Sequence, residues 1–249
     1  MMFIILIFIA LVTSMIINGL VEYLPEKVLY NAKLEMEGAL LPDEITDTKA
    51  PVFKIVSPIS GLFSAKPNYQ SLSIFLVILG YLYYVYLDVG ISWFSACISM
   101  LGVVLILLSV IDLKHYILPD IATLPLLWLG LLINTNGLII PLKSAVLGAV
   151  VGYLVLWLIY YLFKLLTGKE GMGFGDFKLL AAIGAWFGIA SIPYVLLFAS
   201  ITGILFGVIL KALKRGTNFI PFGIGLSFGW LCYYIFLYRF NFLGFLSLY

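Results

Sequence analysis

Long apolar runs separated by short polar stretches dominate the 249-residue chain. A transmembrane helix needs about 20 largely apolar residues, and eight runs approach or reach that length. They lie at Met2–Leu20, Ser71–Leu87, Ile91–Ile111, Ile121–Ile140, Ser144–Leu166, Phe177–Ala190, Pro193–Leu213 and Pro221–Tyr238. The sixth run is short for a span and is consistent with a tilted, kinked or partly re-entrant segment. The pattern predicts an all-α, polytopic membrane helix bundle with about eight transmembrane segments.

One long polar stretch, residues 21–70, interrupts this pattern. It contains seven of the 12 acidic residues and five lysines. Its prolines argue against one long helix, and its length is small for an independently folded domain. We therefore predict three regions: a first transmembrane segment at 1–20, a cytoplasmic loop region at 21–70 and a membrane-embedded bundle at 71–249.

Composition supports a membrane protein whose main partner is the lipid bilayer. The chain is 63% hydrophobic and 10% charged, whereas soluble domains carry about 25% charged residues. A net charge of +2 is too small to indicate a nucleic-acid partner. The two cysteines, Cys97 and Cys232, lie in apolar runs and are too few for a thiolate metal site, so no metal is predicted.

Basic residues indicate the orientation in the membrane. If the eight runs alternate across the bilayer, 12 of the 14 lysines and arginines fall on one side. The positive-inside rule makes that side cytoplasmic and places both termini outside. The two exceptions are Lys143 and Arg239.

Two aspartates then lie at the same cytoplasmic face. The third run ends in SVIDLKHYILPD, which places Asp112 at its inner end, and GKEGMGFGD leads into the sixth run with Asp176. Charged acids at the hydrocarbon edge are costly, so they usually face a cavity or a partner and are candidates for function.

Paired carboxyl groups favour the chemistry of aspartic proteases. Two like charges held close together share one proton, so one carboxylate can act as a base on water while the other acts as an acid. Which residue is the base is not decided by the sequence, because such a pair titrates as a unit. The chain holds one histidine, His115, and offers no Ser/His/Asp alternative.

Glycines at 171, 173 and 175 precede the second aspartate. Without a Cβ atom, Gly171, Gly173 and Gly175 can adopt positive φ and let the backbone approach an extended peptide, which could pair with the loop by strand addition. A second interpretation stays open, in which this is a flexible loop with Asp176 as the N-cap of the next helix.

The GxGD tetrapeptide at residues 173–176, together with an upstream aspartate at a helix end, resembles the type IV prepilin peptidases. The wider match is more specific: IDLKHYILPD, then TGKEGMGFGDFKLLAAIGAWFG, then IPFGIGLSFGW follow one another in the family's order. The resemblance covers roughly Ile106 to Trp230.

This resemblance implies a membrane-embedded aspartic protease with Asp112 and Asp176 as its catalytic pair. The implied substrates are precursors of type IV pilins or type II secretion pseudopilins, cut after a glycine between a short basic leader and an apolar helix. The implied location is the bacterial inner membrane, with the active site at the cytoplasmic face. Residues 71–249 would form the peptidase bundle.

The first polar stretch departs from the family pattern. Many members also methylate the new N-terminus with S-adenosylmethionine, and their first loop holds two CxxC pairs typical of a zinc site. Residues 21–70, the reduced counterpart of that region, contain neither cysteine nor histidine. We therefore expect no zinc and no cofactor for the peptidase, while S-adenosylmethionine-dependent methylation is left open.

Other residues receive structural interpretations. Asp120, which precedes the fourth run, is predicted as its N-cap. Lys178 could lower the pKa of Asp176 or contact an acid of the substrate, but membrane anchoring explains it equally well, and His115 is interpreted as a solvated side chain. Gly148 and Gly152 form a GxxxG-like pair that could pack against another helix, including one from a second copy in a homodimer.

Three other functions compete with a prepilin peptidase. A small transporter could relay protons through the two acids, but it would place them near the bilayer midplane in repeated halves. A presenilin-like protease shares the GxGD motif, and a non-catalytic homologue would only bind pilins. The positions of the acids and the extended motif match favour the peptidase.

Overall fold

The computed structural model describes residues 2–38, 51–54, 69–169, 171–212 and 221–239. The chain divides into two compact units, residues 1–107 and 108–249. Helix α3 crosses the boundary between them. Both aspartates of interest belong to the second unit.

The first unit contains α1 (Met2–Gly38), α2 (Tyr69–Val89) and most of α3 (Trp93–His115). Helix α1 packs against α2, and the Tyr81 hydroxyl donates to the Ile98 carbonyl at 2.6 Å. Helix α1 continues well past Leu20, where the first apolar run was predicted to end, and it contains Pro25. A proline inside a helix removes one backbone hydrogen bond, and here the helix continues on both sides of it.

The expectation that prolines would break the polar stretch is therefore wrong for its first part. The structure describes three pieces of residues 21–70: the end of α1, the segment 51–54 and the first two residues of α2. The rest of the predicted loop lies outside the described residues, so the division into 1–20, 21–70 and 71–249 stays a prediction.

The described part of the second unit contains the end of α3 and five further α-helices: α4 (Asp120–Ile133), α5 (Leu142–Thr167), α6 (Phe174–Phe187), α7 (Ser191–Ala212) and α8 (Phe222–Cys232). A 3-10 turn at Asn134–Asn136 follows α4, and a π-helical segment at Tyr233–Arg239 follows α8. The part of the chain that the structure describes contains no strand, so the predicted all-α class is confirmed.

Among the residues that the structure describes, five helices are long and apolar enough to cross a membrane: α1, α2, α3, α5 and α7. They correspond to the first, second, third, fifth and seventh predicted runs, and they make the chain a multi-pass membrane protein. The fourth and sixth runs form helices of 14 residues each. At 1.5 Å per residue such a helix is about 21 Å long, which is short of the roughly 30 Å hydrocarbon core.

Helix α4 ends early because of Asn134, a fully buried polar residue. Its amide nitrogen donates to the carbonyls of Ala185 and Trp186 at 2.9 and 3.2 Å. Its amide oxygen accepts from the backbone N–H groups of Ile139 and Ile140 at 3.2 and 3.1 Å. The fourth predicted run is thus a shorter helix followed by a turn, whose backbone groups this side chain satisfies.

Helix α6 lies at the centre of the second unit, where α4, α5, α7 and α8 all contact it. Eleven of its 14 residues are buried: Asp176, Phe177, Leu179, Leu180, Ala181, Ala182, Ile183, Gly184, Ala185, Trp186 and Phe187. The indole N–H of Trp186 donates to the Leu126 carbonyl of α4 at 2.8 Å. Helix α6 is therefore a core helix of the second unit.

The GxxxG-like pair of α5 packs inside the second unit. Gly148 and Gly152 are buried, and a Cβ atom at Gly148 would overlap the Gly184 carbonyl of α6. At Gly152 a Cβ atom would lie 2.8 Å from the Leu180 carbonyl. The two glycines let α5 and α6 approach closely, so this pair does not form the surface of the predicted homodimer.

Candidate active site

Asp112 lies in the last turn of α3 and is 5% exposed. The backbone N–H of Gly223, in the first turn of α8, donates to its Oδ2 at 2.8 Å. The N–H of Ile224 donates to the same carboxyl group. Two free amides of a helix N-terminus therefore bind an acid that lies 111 residues earlier in the chain.

Asp176 lies in the first turn of α6 and is 8% exposed. The N-cap of α6 is Gly173, and its backbone N–H donates to the Asp176 carboxyl. The alternative interpretation of Asp176 as the N-cap is therefore wrong. Asp176 occupies the third helical position, from which an acidic side chain reaches back to the N-cap amide.

The two carboxyl groups interact electrostatically. Burial, together with the negative charge of the nearby Asp112, raises the pKa of Asp176 from its usual value to about 7. Asp176 precedes the sixth apolar run and lies at the polar end of a helix too short to span a bilayer. A carboxyl with such a pKa holds its proton at neutral pH for a large fraction of the time, as an acid catalyst must. The structure thus brings together the two predicted aspartates, whose catalytic role stays a prediction.

The structure does not show the positive φ predicted for these glycines, and their approach to an extended peptide stays a prediction. Gly173 has a φ of −81°, and the positive-φ glycines among the described residues do not include Gly171, Gly173 or Gly175. The one positive-φ glycine of the GKEGMGFGD stretch is Gly168, with a φ of 70°, which caps the end of α5. Gly171 packs close to the ring of Phe163.

Gly175 has a steric role that the sequence did not suggest. A Cβ atom at this position would lie 2.7 Å from Cβ of Leu118. On its other side Leu118 meets the first turn of α8, where a Cβ atom at Gly223 would lie 3.1 Å from its Cδ1. Leu118 therefore packs between the two glycines that adjoin the two aspartates, and larger residues there would displace the acidic groups.

Asp120 and Lys178 form an ion pair. The Lys178 ammonium donates to both oxygens of Asp120, at 2.7 and 2.6 Å. The N-cap of α4 is Pro119, without a side-chain cap, so the prediction of Asp120 as the N-cap is wrong. The pair joins the first turn of α4 to the second turn of α6, and it gives Lys178 a partner that membrane anchoring did not predict.

Two features near the site were missed from the sequence. The first is Gly223, in the first turn of α8. Pro221, two residues earlier, is the N-cap of this helix and could have indicated free backbone amides in that turn. The second is Tyr116, which ends α3 with a φ of 54°, a conformation that costs a non-glycine residue energy. No residue pattern around Tyr116 indicated that strain. His115 is exposed.

The described residues contain no group of three or more His, Cys, Asp and Glu side chains that could hold a metal ion. What the site offers instead is two buried carboxyl groups in different environments. Asp112 accepts hydrogen bonds from two amides at the N-terminus of α8, whereas Asp176 accepts one from the N-cap of its own helix and lies beside the negative charge of Asp112. Such a pair can bind one proton and activate a water molecule.

A buried carboxyl pair at helix ends, on a polytopic helical membrane protein, is the arrangement expected of a membrane-embedded aspartic hydrolase. Comparison with known families is more specific: residues 99–208 match the type IV leader peptidase family. Both aspartates fall inside that segment. The segment that holds the predicted motifs therefore matches a type IV leader peptidase domain, in agreement with the resemblance proposed from those motifs.

Curated relatives agree with this assignment. A protein of Stutzerimonas stutzeri named "Prepilin leader peptidase/N-methyltransferase" is 49% identical over 152 residues, which cover 59% of this chain and 52% of the relative. Proteins with the same name from Pseudomonas aeruginosa and Neisseria gonorrhoeae are 48% and 47% identical, over 59% and 58% of this chain and 52% and 50% of their own lengths. The chain thus aligns with about half the length of these relatives. No solved structure was found to match it.

Proposed function

We propose that this protein is a leader peptidase that cuts type IV prepilins or type II secretion pseudopilins after the glycine at the end of the basic leader. The observation that carries the proposal is the interaction of Asp112 with Asp176 inside the segment that matches the family. Relatives about half identical to this chain are named as prepilin leader peptidases.

The two carboxyl groups can hydrolyse a peptide bond with water as the only other reactant. One carboxylate takes a proton from water, whose oxygen bonds to the glycine carbonyl carbon, while the other carboxyl gives its proton to the carbonyl oxygen. The resulting diol collapses as the C–N bond breaks. The first carboxyl protonates the leaving amine, and the second recovers a proton from a diol hydroxyl. Since water and two acids suffice, the proposed peptidase reaction needs no metal or cofactor.

The location of the acids fits a substrate that enters from the membrane surface. Asp112 is in the last turn of a helix long enough to span a bilayer, and Asp176 is in the first turn of α6. A prepilin carries its scissile bond where a basic leader meets an apolar helix. That bond is therefore expected at the membrane surface, as are the helix ends that carry the two acids. We place this site on the cytoplasmic side of the bacterial inner membrane, because the topology predicted from the sequence puts most lysines and arginines on the same side as the two acids.

The test is cleavage of a purified prepilin by the full-length protein in detergent, followed by mass spectrometry. Asp112→Asn and Asp176→Asn should each lower the cleavage rate by about 10³-fold or more while leaving the thermal unfolding transition cooperative. Asp88→Asn in α2 serves as a matched control and should cleave normally. Cleavage at the wild-type rate by either active-site variant would refute the assignment of the pair.

The same assay separates the other hypotheses. A well-folded wild-type protein that binds prepilin without cutting it would be a pilin-binding homologue. One that neither cuts nor binds, but moves protons across liposome membranes, would be a transporter. The helix-end positions of both acids favour the peptidase over a relay, for which midplane acids are expected.

Methyl transfer is a second hypothesis, carried by the full name of the relatives. The alignment covers about half of each of these proteins, and residues 21–70 lack the ligands of the zinc site that the family resemblance implies. Adding S-adenosylmethionine to the cleavage assay tests it directly. A product heavier by about one methyl group would show the activity, and an unchanged mass would limit this protein to cleavage.

A further inference from the structure

The two carboxyl groups of the pair have different neighbours. Asp112 accepts backbone hydrogen bonds from Gly223 and Ile224 at the start of α8. Asp176 accepts one from Gly173 at the start of its own helix, and it is surrounded by the core of the second unit. Hydrogen bonds from amides stabilise a carboxylate, and burial among apolar groups disfavours it.

The first turn of α8 is well suited to hold a negative charge. It begins after Pro221, so the amides of its first residues have no partner within the helix. Their dipoles add to the positive end of the helix. A carboxylate at this place replaces the water that these amides would otherwise need, and the site is buried.

Glycine is the residue type that allows this contact at position 223. A Cβ atom there would lie 2.8 Å from Oδ2 of Asp112 and 3.2 Å from its Cγ. Leu118 closes the other side, at 3.1 Å from the same position. Any side chain at residue 223 would therefore move the Asp112 carboxylate away from the amide that binds it.

We infer that the first turn of α8 fixes Asp112 as the ionised member of the pair, which makes Asp112 the base and Asp176 the acid in the first step of hydrolysis. The assignment of base and acid rests on the proposed peptidase function. Asp112 takes a proton from water as the water oxygen bonds to the glycine carbonyl carbon. Asp176 gives its proton to the carbonyl oxygen.

The second step restores the starting state. Asp112, now neutral, gives its proton to the amide nitrogen as the C–N bond breaks, and Asp176 takes a proton from the diol hydroxyl as the new carboxyl group forms. Gly223 is a positioning residue in this scheme, since it acts only through Asp112. Asp176 on α6 is the titratable group whose charge interacts with Asp112, and nearby Lys178 is bound by Asp120.

The first experiment measures protonation without requiring activity. Carboxyl groups are labelled with ¹³C-aspartate, and infrared spectra of detergent-solubilised Asp176→Asn and Asp112→Asn are recorded against pH. Subtracting the spectrum of the double variant isolates the remaining carboxyl in each. Asp112 should lose its proton at a pH lower by about one unit or more than Asp176 does. An equal or higher midpoint for Asp112 would overturn the inference.

The second experiment tests the positioning role of Gly223. In the Asp176→Asn background, Gly223→Ala should raise the midpoint of Asp112 by about one pH unit. Gly225→Ala is the matched control in the same helix, because its Cβ would lie 2.9 Å from the Ala199 carbonyl of α7 and away from Asp112. The control should lower thermal stability and leave the midpoint unchanged. An unchanged midpoint in Gly223→Ala would refute the role of Gly223.

Kinetics then connect the inference to catalysis. Gly223→Ala alone should lower kcat/KM for prepilin by about tenfold or more and move the acid limb of the pH profile to higher pH, whereas Gly225→Ala should not move that limb. If Gly223→Ala does not fold, the comparison of the two Asp→Asn variants still decides which acid is ionised. Unequal midpoints without any prepilin cleavage would disprove the proposed function and leave the assignment of the ionised acid intact.

Discussion

Helices α5 and α6 are neighbours with similar apolar composition, yet they are used in opposite ways. Helix α5 has 26 residues, and its buried positions form one stripe: Ala145, Gly148, Gly152, Leu156 and Tyr160. Helix α6 has 14 residues, and nearly all of them are buried. The stripe of α5 packs against α6, and its other faces are exposed, as suits a helix in contact with lipid.

The difference shows that a run of apolar residues in a membrane protein can face either of two environments, the lipid or the protein core. In α5 it results from the bilayer, whereas in α6 it results from burial within the protein, where small residues such as Ala181 and Gly184 let the surrounding helices approach. A core helix is a rigid support for a functional side chain at its end. Asp176 benefits from that support because it lies in the first turn of α6.

The strongest test of this comparison replaces one leucine on each helix by alanine. Leu180 of α6 is 0% exposed and Leu154 of α5 is 50% exposed. Leu180→Ala should lower the free energy of unfolding by about 3 kcal/mol, because it leaves a cavity in the core. Leu154→Ala should change it by less than about 0.5 kcal/mol. Thermal unfolding in detergent measures both, and equal effects would contradict the assigned environments.

A second test removes the side chain that holds the C-terminal end of α6. Asn134→Ala should cost about 2 kcal/mol, because it leaves two buried carbonyls and two N–H groups without that partner. Asn136, in the same turn, is exposed. Asn136→Ala is thus a matched control and should be nearly neutral. A neutral Asn134→Ala would show that α6 does not depend on this side chain.

A third test uses pH at the other end of α6. The pKa of Asp176 in the folded protein is about 7, above the usual value of about 3.9. The folded state therefore binds more protons, and this group's contribution to stability is lost as pH rises from about 4 to about 7. Asp176→Asn should stabilise the protein by about 1–2 kcal/mol at pH 8 and by much less at pH 4.

Melting temperatures of the wild type and Asp176→Asn at the two pH values measure this difference. The variant should be inactive throughout, so stability and activity should change in opposite directions. A stabilisation that is the same at both pH values would show that Asp176 does not titrate in this range.

The smallest effect is expected for the ion pair between α4 and α6. Its side chains are 26% and 55% exposed, and pairs this accessible contribute about 1 kcal/mol or less. Lys178→Met keeps the apolar part of the side chain and should lower stability by about 0.5 kcal/mol. Lys169→Met, at an exposed position after α5, is the control. An effect of several kcal/mol would mean that the pair orders the first turn of α6.

Apolar periodicity predicted the helices that contact lipid and was less accurate for those that do not. The predicted runs at Ser71–Leu87 and Ser144–Leu166 are close to α2 and α5, at Tyr69–Val89 and Leu142–Thr167. The fourth run was predicted too long because Asn134 sits within an apolar stretch. Its role depends on α6, which is about 50 residues away, and no local pattern encodes it.

Within the candidate site, the residues with distinctive chemistry were found and their contacts were not. Asp112 and Asp176 are conspicuous because acids are rare in apolar sequence. The hydrogen bond from Gly223 joins positions 111 residues apart, and it depends on how α8 packs against the end of α3. The glycines before Asp176 were interpreted as flexible, but at Gly175 the requirement is space for Leu118.

The position of Leu118 has a consequence for sequence variation. It touches the places where both Gly175 and Gly223 lack a side chain, so the three positions share one fixed volume. A methyl group gained at either glycine would have to be matched by atoms lost at Leu118. These three residues, distant in sequence, should therefore vary together among homologous proteins. Other combinations at these positions should have about the same total side-chain volume as one leucine and two glycines.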